Sequence, residues 1–192
     1  VARLRSLSQR GVKVRVLTNS LASTDVPAVH AGYQKYRRAL LDAGVELHEL
    51  KPSAAGEGGA AAGSGARREK HHLSGSSRAS LHAKAMIFDR RALFVGSMNI
   101  DPRSVFTNTE IGVVVEQAEL AATQAEKLVS QLPNVGFRLE LAPAAGPDSA
   151  PEIVWVATQD GQAIRYSSEP MTSAWQRFKL WFYSLLPIEH LL

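Results

Sequence analysis

Between residues 81 and 110 the chain gathers groups able to act on a phosphorus centre: Leu81-His82-Ala83-Lys84 with Asp89, then Gly96-Ser97-Met98-Asn99-Ile100-Asp101, then Asn108-Thr109-Glu110. The spacing reads H-x-K-x4-D, G-S-x-N-x-D and N-x-E. Side chains alternate faces along an extended strand, so His82 and Lys84 are expected on one face. An imidazole can attack phosphorus while a neighbouring ammonium neutralises charge on the non-bridging oxygens. Gly96 permits close backbone approach, and Ser97 and Asn99 supply neutral hydrogen-bonding groups. A nucleophilic histidine also needs its far nitrogen held by an acceptor, and Glu110 is the candidate. Asp89 falls in a tight turn, where aspartate is common for purely local reasons. Taken singly each residue is ordinary. Together they form a pattern that chance does not readily supply.

Elements that must position this set are legible on both sides of it. Residues 12–18 alternate apolar and basic side chains as a half-buried strand does, 28–43 read as a helix closed by Gly44, and 45–50 as a second strand. That order predicts a parallel pair joined by a crossover helix in an α/β sheet. Residues 81–88 and 92–95 read as strands around the Asp89-Arg90-Arg91 turn, 109–116 as a buried strand and 118–132 as a helix. Short strands are expected over 137–141, 153–157 and 162–166, and a final helix over 172–186. Between 51 and 80 the composition turns to Gly, Ala and Ser and then to Arg67, Arg68, Lys70 and Arg78, which predicts a long flexible loop. The domain division expected is 1–132, with the loop at about 52–80, followed by an extension over 133–192.

Composition bounds the rest. The 192 residues include no cysteine, so neither a disulfide framework nor a thiolate metal site is available. The six histidines are scattered, with His71-His72 in the polar loop and His190 in the tail. A formal charge of +4 does not by itself argue for nucleic acid, though it suits a partner bearing phosphates. No run of eighteen apolar residues is present to span a bilayer. The chain starts Val1-Ala2-Arg3-Leu4 without an initiator Met or a signal-peptide run, and the expectation is a fragment whose N-terminal part is missing.

The motif set resembles the signature of the phospholipase D superfamily. Further runs, 11–25, Asp101-Pro102-Arg103-Ser104, Asn108-Thr109-Glu110 and 175–189, are similar to bacterial cardiolipin synthases, particularly the C type. The resemblance covers nearly the whole chain apart from 54–80 and corresponds to the C-terminal half of such proteins, which carry an earlier H-x-K motif as well. It implies half of a phospholipase D-like α/β sandwich, with a mixed, largely parallel sheet and a C-terminal helix. It also implies a phosphatidyltransferase making cardiolipin from phosphatidylglycerol and a second phospholipid. Alternatives are a phospholipase D hydrolase on the same lipids, or a dimeric single-motif nuclease.

Under that resemblance the catalytic set is His82, Lys84, Asp89 and Glu110. His82 forms a phosphohistidine or serves a partner histidine as acid–base, and Glu110 orients it, while Asp89 supports structure. Lys84, Ser97 and Asn99 bind the phosphate. No metal and no cofactor are expected. The partners expected are phospholipid substrate, a membrane surface, and the N-terminal half of the same protein or a second copy, with no nucleic acid; the location is peripheral on the bacterial cytoplasmic membrane. The closing helix carries Trp175, Phe178, Phe182 and Leu185 at helical spacing, with Trp181 beside them and Arg177 and Lys179 among them. That pattern suits a membrane interface and equally a helix packed on the core.

Overall fold

The computed structural model describes residues 1–52, 80–143, 146, 149–159 and 161–185. The loop expected to be flexible, its basic end, His71-His72 and the tail from residue 186 lie outside the described residues. A helix α1 (Ala2–Gln9) leads to strand β1 (Arg15–Asn19), helices α2 (Pro27–Gln34) and α3 (Arg37–Asp42), and strand β2 (Glu46–Leu50). Strands β3 (Lys84–Phe88) and β4 (Ala92–Gly96), a short helix α4 (Pro102–Phe106) and strand β5 (Gly112–Val115) follow. The chain then forms helix α5 (Ala118–Val135), strands β6 (Gly136–Leu141), β7 (Ile153–Gln159) and β8 (Gln162–Tyr166), and helix α6 (Ala174–Ser184).

The expected crossover helix is two helices. Tyr36 N–H donates to Tyr33 O at 2.9 Å, a tight i→i+3 turn that ends α2 and lets α3 start on a new axis. Gly44 closes α3 as expected. At φ +78° it takes the left-handed position, donating to Leu41 O while Val45 donates to Leu40 O.

Two sheets result. The larger runs β1-β2-β6-β7-β8, and among its described pairs only β1–β2 is parallel, so the sheet is mixed and mainly antiparallel rather than largely parallel. The last three strands follow one another with no crossover helix between them, and parallel neighbours would need a crossover each time. The division expected after residue 132 falls inside this sheet: Phe137, Leu139, Trp155 and Ala157 join Leu40, Ala43, Val45 and Leu47 in one buried cluster. The smaller sheet runs β3-β4-β5 as an antiparallel meander. Its strand β5, expected to be buried, is exposed along its whole length, with Val113 62% and Val114 57% accessible. β-branched composition signals a strand, but which faces are covered depends on neighbours that the local pattern does not name. Helix α5 lies against β6 and β7 and also touches β3 and β4, tying the two sheets together. Among the described residues no helix is long and apolar enough to cross a membrane.

Candidate active site

The motif residues hang on the small sheet. Its register pairs Lys84 with Gly96 and Gly96 with Gly112, so the lysine sits in a row with two glycines. Those glycines are dictated by packing. A Cβ on Gly112 would lie 2.2 Å from the Phe94 ring, and one on Gly96 would lie 2.5 Å from Ile111 O and 2.8 Å from Phe94. The close approach that Gly96 allows is therefore that of the neighbouring strand and the Phe94 ring.

His82 precedes β3 as exposed, extended chain, so the strand begins two residues later than the motif. The Lys84 ammonium donates to the His82 carbonyl at 2.9 Å, which folds the cation back beside the imidazole's own residue. Ser97 and Glu110 are brought together. The Ser97 hydroxyl donates to Glu110 Oε2 at 2.5 Å and accepts from the Ile111 N–H at 3.0 Å, while the Asn108 carboxamide reaches Glu110 Oε1 at 3.4 Å. These bonds, with one from Ser104 and the nearby charge of Lys84, hold the Glu110 carboxyl below the usual carboxylate range. Glu110 is thus a negative acceptor at neutral pH, and its present partner is Ser97.

Asn99 is exposed, and its backbone N–H donates to Ser104 Oγ at 3.2 Å. Asp101 in the same motif caps α4, accepting from the Ser104 N–H at 2.7 Å, with Pro102 at the first helical position. Asp89 stands apart from the rest. It and Arg90 occupy left-handed conformations (φ 50° and 58°) in the turn closed by Arg91 N–H to Phe88 O at 2.9 Å. That turn is at the far end of β3, seven residues and roughly 20 Å of extended chain from His82. Aspartate tolerates the left-handed region better than most residues, which suits the conformation of Asp89. Among the described residues no three His, Asp or Glu side chains are grouped to hold a metal.

Two residues at the site were not picked out from the sequence. Ser104, buried, gathers Asn99, Asp101 and Glu110 around the turn into α4. Its signal was the Asp-Pro-x-Ser start of a helix. The other is Asn19, at the end of β1. Its carboxamide oxygen accepts from the Leu81 N–H at 2.8 Å, and its nitrogen donates to Leu81 O at 2.9 Å and to Ser80 Oγ at 3.1 Å. The large sheet thereby holds the backbone immediately before His82. Asn19→Ala is expected to remove about 1–3 kcal/mol of local order, the sum of two or three modest hydrogen bonds. Amide exchange at Leu81 reads this directly: protection there should fall by tenfold or more while Leu47, in the large sheet, is unchanged. Unchanged protection at Leu81 would mean that the clamp does not hold the loop.

The family model described as "Cardiolipin synthase, PLD-like domain" matches residues 1–132. The chain is 38% identical over 192 residues to cardiolipin synthase C of Escherichia coli K12, covering all of this chain and 38% of that protein. It is 29% identical over 178 residues to an uncharacterized protein of Helicobacter pylori J99, covering 93% of this chain and 32% of that one. The chain therefore spans between about a third and two fifths of the length of these relatives. No solved structure matches. A mixed α/β fold, a family match over more than two thirds of this chain and 38% identity along its whole length place it in the cardiolipin synthase family of phospholipase D-like domains.

Proposed function

We propose that this chain supplies one half of the active site of a phosphatidyltransferase that makes cardiolipin from phosphatidylglycerol and a second phospholipid, working peripherally at a bacterial membrane. The observation that carries the reading is the pairing of an exposed His82 with a Lys84 ammonium folded onto the same residue's carbonyl at 2.9 Å. A nucleophile and a cation so placed can address one phosphodiester together.

The chemistry runs in two displacements. In the first, an imidazole nitrogen bonds to the donor lipid's phosphorus as the P–O bond to the headgroup breaks, and the departing oxygen takes a proton from a second imidazole. In the second, the acceptor lipid's hydroxyl returns its proton to that second imidazole as its oxygen bonds to phosphorus and the N–P bond breaks. His82 is one of the two imidazoles, and the other comes from the remaining half of the protein or from a second copy. Lys84 and Asn99 hold the non-bridging oxygens, with Ser97 beside them. Glu110 is the acceptor available to His82, and reaching it requires the Ser97 bond to give way when substrate binds. The similarity to a protein named cardiolipin synthase C supports this choice of substrate class.

The test uses the protein at its native length with phosphatidylglycerol carrying label in the headgroup glycerol. A second phospholipid is supplied beside it, and transfer releases one headgroup alcohol of the donor for each cardiolipin formed, the labelled glycerol staying in the product wherever phosphatidylglycerol is the acceptor. Phosphatidic acid in place of cardiolipin would assign hydrolysis, and release of neither product would remove the reading altogether.

A further inference from the structure

Helix α6 turns two unlike faces outward and inward. Its N-terminus is set by a reciprocal cap, Ser173 accepting from the Gln176 N–H while the Gln176 side chain accepts from the Ser173 N–H. Inward, Leu180 is buried against Leu21 and Ala31, with Tyr183 beside it. At 100° per residue, Trp181, Leu185, Phe178, Phe182, Trp175 and Lys179 follow one another around the remaining arc of roughly 160°. The five apolar members of that arc are 50–61% exposed. Sequence alone left two readings of these aromatics, and the structure separates them: the core takes Leu180, and the aromatics stay outside.

The outer face is ordered and carries one sign of charge. Trp175 stacks on Phe178 at 5.4 Å and 15°, and Phe178 meets Trp181 at 5.8 Å, so three rings make a continuous ladder along the helix. The Lys179 ammonium lies over the Trp175 ring, 5.3 Å from its centroid. The helix Ala174–Ser184 bears Arg177 and Lys179 and no acidic residue. Aromatic rings with cations at their margin complement the boundary between anionic headgroups and acyl chains. A water-facing surface helix would carry charge where this one carries indole and phenyl groups.

Its seat connects this face to the chemistry. Leu21, against which Leu180 packs, lies two residues beyond Asn19, whose carboxamide grips Leu81 beside His82. One short loop thus supports both α6 and the approach to the motif.

From these observations we infer that the outward face of α6 is the surface on which the protein docks to an anionic lipid bilayer, holding the His82 site near its substrate. The inference rests on the lipid-transfer reading for its purpose, but its test needs no turnover. Sedimentation with sucrose-loaded vesicles of phosphatidylglycerol and phosphatidylcholine would be compared for the native-length protein and its Trp175→Ser/Phe178→Ser/Trp181→Ser variant. Partitioning is expected to fall by about tenfold or more in the variant, given the apolar area removed, and Lys179→Glu should weaken it on anionic vesicles but not on pure phosphatidylcholine. Brominated acyl chains should quench the tryptophan emission that the parent protein has and the triple variant lacks, while buried Trp155 stays unquenched.

Equal partitioning of parent and triple variant, or no quenching, would overturn the inference. So would a dimer in lipid-free solution that the same substitutions dissociate, which would assign the face to a second copy. Turnover of a short-chain, monomerically dissolved phosphatidylglycerol separates the two readings: the triple variant should keep it. If neither protein turns that lipid over while the parent still binds vesicles, the enzymatic reading fails and the docking surface stands.

Discussion

Replacing His82 by alanine is expected to reduce lipid turnover by at least about 10²-fold, the usual contribution of a positioned imidazole, and by more if His82 is the nucleophile. The unfolding midpoint should not move. His82 is exposed and its ring has no hydrogen-bond partner among the described residues, so removing it costs no packing. The Lys84 ammonium is anchored to the backbone carbonyl of residue 82, not to the imidazole, and stays where it is in the variant. Loss of activity would then report chemistry alone. Near-normal turnover in a folded His82→Ala protein would take the motif out of the mechanism. The experiment belongs in the protein at its native length, because one H-x-K motif offers only one of the two imidazoles in the proposed displacement.

The second large effect is expected far from the motif. Glu49 is fully buried on the core face of β2, in the same alternation as Val45 and Leu47. Three donors reach it: Arg37 Nε at 2.7 Å and the Tyr33 hydroxyl at 3.0 Å on Oε1, and the Trp155 indole N–H at 2.9 Å on Oε2. Arg37 also donates through Nη1 to Glu169 Oε1 at 2.6 Å, and its Nη2 lies 2.7 Å from His30 Nε2. Its guanidinium lies over the Tyr33 and Trp155 rings. Burial alone would lower the affinity of Arg37 for its proton, but the two carboxylates outweigh that and raise it. Burial likewise pushes the Tyr33 phenol up, and the charge on Glu49 adds to the effect.

Arg37→Met would leave two carboxylates in the interior without their cation, and breaking a buried pair in this way costs about 3–5 kcal/mol. The pH dependence has a definite sign. Burial would raise the Glu169 carboxyl, but hydrogen bonding to His30 and the charge of Arg37 win and hold it below the ordinary range. A depressed carboxyl stabilises the fold at pH values above its unfolded value, about 4.3. That contribution is lost as pH falls through the lower, folded value. In Arg37→Met the cation is gone and burial dominates, so the Glu169 carboxyl rises and its protonation relieves the penalty. The deficit of the variant should therefore be largest near neutral pH and shrink in acid. Urea unfolding at pH 7 and pH 4.5 measures both. A deficit below about 1 kcal/mol at pH 7, or one that grows on acidification, would contradict this account.

The motif itself was legible in the order of residues, and a side-chain period of two would set its His and Lys on one side wherever the chain is extended; the strand, however, begins only at Lys84. Gly44 as a left-handed helix terminus and the turn at Asp89 and Arg90 are equally local, since each depends on the φ of one or two adjacent residues. The alternation 45-47-49 already places Glu49 on the apolar side of β2, although its partners could not be named. Arg37 lies 12 residues before it, while Glu169, which shares that arginine, lies 132 residues beyond Arg37.

What only the tertiary structure decided is pairing and covering. That the sheet is mainly antiparallel follows from β6, β7 and β8 entering it beside β2, an outcome of long-range register. The exposure of β5 and the outward aromatics of α6 reflect which surfaces have neighbours, and an apolar residue reads alike whether it meets core, lipid or another half of a protein. Asn19 shows the same division most plainly. As a residue it is a polar strand end, and its hold on Leu81 exists because chain closure brings together groups 62 residues apart. Local geometry is written in nearest neighbours and can be read along the chain; contacts across the fold depend on which of many compatible surfaces bury the most apolar area together, and that is settled only when the whole chain is packed.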